Sequence, residues 1–289
     1  MTGLDPLLAP RSRAAANAVM RSLLREPAAL IGGGIVLLFM ALAIFAPLLA
    51  PYDPLASDWG AVRLPPDLGH PFGTDDLGRD ILSRIVFGAR ASLAAGFLSV
   101  AIAMLAGVPL GLCAGYFGGV ADIIVSRLAD AVLSCPFLVL AIALAAFLGA
   151  SLENTIIAIG LSSIPIFVRL ARGQTLAVRE EDYVSAALSL GLTHRRIILG
   201  HVLPNVLPPL LVQATLTAAI AVLAEASLAF LGLGQAPPAP SWGSMLDQAR
   251  QFLADAPWMA VSPGLAIVAL VIGLNMLGDA LNDVLNPRS

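Results

Sequence analysis

Residues 28–50 read AALIGGGIVLLFMALAIFAPLLA, an unbroken apolar run. A helix needs about 20 such residues to cross a hydrocarbon core about 30 Å thick. The run is too long and begins too late for the apolar region of a signal peptide, so it reads as an uncleaved first span. Five further runs follow at 93–117, 131–150, 152–172, 206–233 and 258–281. In lipid only helices and closed barrels satisfy their own backbone groups, and these runs lack the alternation of a barrel strand. The chain is 58% hydrophobic and 12% charged, with a mean hydropathy of +0.88, far from the average of soluble domains. The predicted fold is all-α: a polytopic membrane protein with six transmembrane helices, the third and fourth parted near Gly149–Glu153.

All 16 basic residues are arginine, so arginine alone carries the orientation signal. Arg11, Arg13, Arg21 and Arg25 precede the first span and predict a cytoplasmic N-terminus. Six spans then place the segment after span four inside as well, where Arg169, Arg172, Arg179, Arg195 and Arg196 lie. The segment after span one falls outside, its arginines 63, 79, 84 and 90 interleaved with six aspartates from Asp53 to Asp80. Ile81, Leu82, Ile85 and Val86 there recur at helical spacing, which predicts a surface-lying amphipathic helix leading into span two.

The lack of lysine excludes chemistry. A phosphate-binding Walker A loop ends in Gly-Lys-Ser/Thr, so no such loop can be written here. Schiff-base catalysis falls for the same reason. His70, His194 and His201 have no second ligand at zinc-like spacing, and no Gly-x-Ser-x-Gly setting lies in a span. Cys113 and Cys135 sit singly in apolar spans and need no disulfide. The chain reads as no enzyme.

One polar stretch interrupts the apolar second half: GQTLAVREEDYVSAALSLGLTHRRIILGHVLP, residues 173–204. Ser185-Ala186-Ala187 is followed by Gly191, and Leu203-Pro204 closes the stretch. Two alanines leave a smooth helix face that a groove can cover closely; glycine tolerates a left-handed C-cap, and proline marks the start of the next helix. This spacing resembles the EAA loop of bacterial ABC importer permeases, a short cytoplasmic helix that docks on an ATPase. Ser185 stands where that family usually has glutamate, so a salt bridge from that position does not carry over. Three more stretches extend the likeness over nearly the whole chain: HPFGTDDLGRDILSRIVFGAR (70–90), EASLAFLGLGQAPPAPSWG (225–243) and the C-terminal run PGLAIVALVIGLNMLGDALNDVLNPR. They are similar to the C-type permeases of dipeptide, oligopeptide and nickel importers.

The resemblance implies the transmembrane-domain fold of a type I ABC importer in the bacterial inner membrane, with both termini cytoplasmic. Its parts would be a cytoplasmic arm (1–27), a first helix with an external segment (28–87), a five-helix domain (88–281) carrying the coupling loop 173–204, and a tail (282–289). Implied partners are a second permease, two ATPases, an external binding protein and the lipid membrane, with no nucleic acid. The chain itself would hold no cofactor, ATP and Mg being bound by the ATPases. Peptides are the expected solute, with nickel complexes, glutathione or another small solute as alternatives. From other classes, an ion-coupled secondary transporter would need inverted repeats and several intramembrane charges; a structural membrane subunit would transport nothing.

Individual residues carry further expectations. Gly107, Gly111 and Gly115 form a small-residue stripe for close helix packing, or a hinge with Pro109. Glu225, deep in an apolar run, belongs either to the translocation path or to a brace at the exit of span five. Arg127 and Asp130, one helical turn apart, are expected to pair. Asp279 and Asp283 fall at the inner end of span six, where water reaches them. Trp242 and Trp258 read as headgroup anchors. Pro237, Pro238 and Trp242 form a stiff outer loop that could instead meet the binding protein.

Overall fold

The computed structural model describes residues 22–285. The arginines at 11, 13 and 21, most of the N-terminal arm and the last four residues lie outside the described part. Eleven α-helices are described. Among them, five long apolar runs could each cross a membrane: α1 (Pro27–Ile44), α3 (Ile81–Phe117), α6 (Leu152–Arg179), the continuous stretch His194–Phe230, and α11 (Trp258–Leu285). A short α2 (Ala46–Leu49) follows α1.

The predicted third span is not straight. The run predicted at 131–150 begins only at the end of α4 (Gly119–Leu133) and continues as α5 (Phe137–Leu148), the two helices bent by 89° at the break. Pro136 is extended there; it has no N–H to give, and its ring disfavours helical backbone at Cys135. With 12 residues, α5 rises only about 18 Å. The pair makes a sixth crossing only when counted together. Hydropathy averages composition and carries no direction, so the corner was invisible in it. The break at Gly149–Glu153 is a tight turn: Gly149 has φ +96°, and Ser151 caps α6 by accepting from the Asn154 N–H at 3.1 Å.

The bundle is organised around the pair α3–α6. A Cβ on Gly107, Gly111 or Gly115 would lie 2.8, 2.5 and 2.8 Å from the carbonyl oxygens of Ile164, Val168 and Arg172. The stripe is therefore a packing surface that lets two backbones touch. Gly32 of α1 and Gly273 of α11 do the same for the outer pair; a Cβ on Gly32 would lie 2.7 Å from the Gly273 carbonyl.

Residues 50–80 fold back over one end of the bundle. Asp80 caps α3 through the Ser83 N–H at 2.7 Å and accepts from His70 Nδ1 at 2.9 Å. Asp75 accepts from the backbone of Leu77 and Arg79 and from Arg79 Nε at 2.7 Å, and Arg84 Nε lies 3.4 Å away. Arg84 is 1% exposed and donates to the Pro54 carbonyl at 3.0 Å. A buried charge is tolerated only when paired and hydrogen-bonded. Two of the six aspartates, Asp75 and Asp80, are thus internal struts rather than a solvated face. The expected surface helix is corrected too: Ile81, Ile85 and Val86 are buried in the first turns of one uninterrupted α3.

The tryptophans explain that burial. Trp242, at the start of α10 (Trp242–Ala249), is 0% exposed. Its Nε1 donates to the Ile85 carbonyl at 3.0 Å, and its ring meets Phe39 edge-on at 5.2 Å. Trp258 is half-buried and donates to the Thr74 carbonyl at 3.2 Å. Neither ring is a free headgroup anchor, because buried polypeptide carbonyls claim both indole N–H groups.

Candidate functional site

The segment predicted at 173–204 leaves the bundle later than expected, since α6 stays helical through Arg179. After a turn at Glu180–Glu181 comes α7 (Asp182–Ser189), then Gly191 at φ +78°. The left-handed backbone at Gly191 favours glycine. The Gly191 and Leu192 N–H groups close the helix on the carbonyls of Leu188 and Ala187 at 3.0 and 3.2 Å. α8 (His194–Ile197) passes through a π-helical turn, Ile198–Val202, into α9 (Leu203–Phe230). Pro204 does stand in the first turn of α9. It is not where the helical run begins, though, because His194 starts that run; lacking an N–H, Pro204 follows a turn whose closing bond spans five residues, Leu203 N to Ile198 O.

The two alanines part company. Ala187 is 4% exposed and packs with Val184 and Ile197 into the chain's own core. Ala186 and Ser185 face outward, as do Leu188 and Leu190, the last 81% exposed. Only one of the two alanines therefore lies on the exposed face; the other seats the helix. Leu203 is half-buried and Pro204 exposed.

Three hydrogen bonds fix this segment to the spans. The Tyr116 hydroxyl, at the end of α3, hydrogen-bonds His194 Nδ1 at 2.9 Å. Arg179, at the end of α6, donates to the Tyr116 carbonyl at 3.1 Å. Asn205 donates to the Tyr183 hydroxyl at 3.1 Å and so ties α9 to α7. Sequence separations of 78, 63 and 22 residues kept these contacts out of any local pattern.

Beside the segment lies a cleft between α4 and α6, with a volume of about 740 Å³. Arg172 holds Asp122 with two donors, Nε to Oδ1 and Nη2 to Oδ2, the latter at 2.7 Å. Arg169 Nη2 lies 2.5 Å from Asp130 Oδ1. The expected Arg127–Asp130 pair is thus corrected: α6 packs alongside α4 and brings a nearer guanidinium across. Arg127 lines the cleft and makes no ion pair among the described residues.

Glu225 is 0% exposed where α9 meets α3 and the start of α10. Ser92 Oγ donates to its Oε2 at 3.3 Å. Its Oε1 has no partner among the described residues. Pro237 and Pro238 are exposed at the same end of the bundle, whereas Trp242 offers no surface to anything outside. Asp279 and Asp283 are exposed.

This bundle, carrying a short helix outside its spans, matches a family model over residues 107–289: the binding-protein-dependent transport system inner membrane component. The chain belongs to this family. Residues 16–66 also match the N-terminal TM domain of oligopeptide transport permease C. This permease is 46% identical over 268 residues to the dipeptide transport system permease protein DppC of Alkalihalophilus pseudofirmus, covering 93% of this chain and 88% of that protein. It is 42% identical over 269 residues to the glutathione transport system permease protein GsiD of Pectobacterium atrosepticum, covering 93% and 89%. Among solved structures it resembles the inward-facing MetNI methionine ABC transporter with a TM-score of 0.56 at 24% identity, covering 70% of this chain and 96% of that one; the likeness is one of fold. The permease is a multi-pass inner-membrane component of a binding-protein-dependent ABC transport system, not an enzyme; hydrolysis of ATP belongs to a separate chain.

Proposed function

We propose that this permease is the C-type subunit of a peptide importer and forms the solute path with a second, different permease. The observation that carries the reading is the outward face of α7: Ser185, Ala186, Leu188 and Leu190 stand clear of the bundle on a helix seated by Ala187 and fastened through His194. A small alanine flanked by leucines suits a groove in an ATPase subunit. Bonds from Tyr116 and Arg179 then carry any displacement of α7 into α3 and α6, whose backbones touch and move as one. Closure of two ATPases would draw the paired α7 helices together and turn the bundle to accept solute from its binding protein.

In this reading α7 and both termini face the cytoplasm, in keeping with the arginines at 169, 172, 179, 195 and 196. The external binding protein would meet the opposite end. There Pro237 and Pro238 are exposed, as are Trp59 and Leu68 of the folded 50–80 segment, and these replace Trp242 as contact candidates. Glu225 serves as a brace: its bonded neighbour is a serine of α3. Di- and tripeptides, glutathione among them, are the solutes supported by relatives named for dipeptide and glutathione transport at similar identity. Affinity purification of the tagged permease from its native membrane tests the assignment. Two ATPase chains and a second permease should accompany it; a permease that purifies alone and accumulates solute by itself would be an ion-coupled carrier.

A further inference from the structure

Charged side chains within membrane-spanning helices turn toward the bundle interior or a water-filled cavity. Five of them meet at the cleft between α4 and α6: Asp122, Arg127, Asp130, Arg169 and Arg172. Both carboxylates are engaged by arginines of α6. Three guanidiniums against two carboxylates leave one positive charge in excess, and it resides on Arg127. The cleft volume of about 740 Å³ falls within the roughly 300–1,000 Å³ range of small-molecule sites. Arg169 lies ten residues before the end of α6, about 15 Å along the axis. The cleft therefore occupies the half of the bundle nearest α7.

We propose that this cleft is a way-station on the solute path, where Arg127 receives the free carboxylate of a passing peptide. This rests on the peptide-importer reading above. A guanidinium presents a planar fork of donors that matches a carboxylate two-to-two. Asp130 binds Arg169 through Oδ1 and is half-exposed; its Oδ2 is left to accept from the ammonium at the other end of a short peptide. Arg127, Asp130 and Arg169 are exposed on the single chain rather than enclosed, which keeps the affinity low. A path needs sites that solute enters readily and leaves as readily. The rival occupant of Arg127 is an acidic side chain of the second permease.

The test uses the complete complex, reconstituted with its binding protein, in a Cys113→Ala/Cys135→Ala background carrying Ser126→Cys. Thiol labelling, each rate divided by that reagent's own rate with a free thiol in solution, is compared between an anionic methanethiosulfonate (ethylsulfonate) and a cationic one (ethyltrimethylammonium). The anionic reagent should react about tenfold faster, the effect of one well-placed charge. Arg127→Gln should abolish that preference and Arg127→Lys should keep it. Millimolar alanyl-alanine should slow labelling, while its C-terminal amide should not. Equal rates for the two reagents, or equal protection by acid and amide, overturn the proposal. So does a thiol that neither reagent reaches, or an Arg127→Gln variant that no longer retains the second permease, either of which gives this face to the partner subunit. A preparation lacking ATPases fails earlier and refutes the importer reading itself.

Discussion

The Tyr116 hydroxyl and His194 Nδ1, 2.9 Å apart, join the last turn of α3 to the first residue of α8. This bond ties the ends of two long helical runs next to α7, and it sits on the line along which a pull on α7 would travel. Tyr116→Phe keeps the ring and deletes the bond. A hydrogen bond of this kind is worth about 0.5–1.5 kcal/mol, so the melting temperature should scarcely move. Solute imported per ATP hydrolysed should fall by a factor of about two to ten. Parallel assays of uptake and phosphate release in proteoliposomes decide it; an unchanged ratio removes the bond from the coupling route.

Ala186 and Ala187 should behave differently despite being adjacent. Ala186→Arg leaves the fold intact and blocks ATPase association, because its side chain points outward. Ala187→Arg forces a long charged chain into a packed site and should destabilise the permease by at least about 1–3 kcal/mol. Thermal melts of the purified subunit together with co-purification of the ATPases separate the two outcomes. Equal behaviour would mean that α7 is not seated as described.

The glycine stripe predicts a graded series. Gly111→Val drives atoms into the Val168 carbonyl and should prevent the α3–α6 pair from forming, with loss of folded yield. Gly33→Ala and Gly34→Ala meet nothing within 4 Å. Each should gain about 0.5–1 kcal/mol from helix propensity where lipid or solvent faces it. Yield and melting temperature in detergent are sufficient readouts.

Trp242→Ala should cost about 3–5 kcal/mol as a core deletion, whereas Trp59→Ala, at an exposed site, should leave the melt unchanged. Only the second should weaken binding-protein docking, measured by surface plasmon resonance on nanodisc-embedded complex. The reverse ranking would return Trp242 to the docking surface.

Glu225→Gln keeps the shape and can still accept from Ser92. Removing a buried, half-satisfied carboxylate should leave stability equal or higher. Uptake should stay within about twofold of wild type, because the amide keeps the Ser92 hydrogen bond. A loss of transport in a fully assembled complex would place Glu225 on the solute path.

Much of this architecture was legible along the chain. The apolar runs located the spans because crossing lipid demands length and hydrophobicity together. The Ala-Ala-x-x-x-Gly spacing located α7 because helix and C-cap are both local. What stayed hidden was directional or distant. The corner at Cys135–Pro136 changes no hydropathy sum. Trp242 read as an interfacial residue because its partner, the Ile85 carbonyl, lies 157 residues away. The pairing of Asp75 with Arg79 and Arg84 left no mark in the sequence, since alternating signs look alike whether they face water or one another. Ala187 could not be told from Ala186 without knowing which side of α7 meets Ile197.

The seating of residues 73–88 has a consequence for biosynthesis. The indoles that clamp this stretch, Trp242 and Trp258, emerge from the ribosome only after more than four-fifths of the 289-residue polypeptide has been made. Until then the aspartate–arginine knot remains hydrated and its strap is open to proteases. A prematurely terminated product would keep that strap unlatched, giving the cell a visible mark by which to destroy incomplete copies.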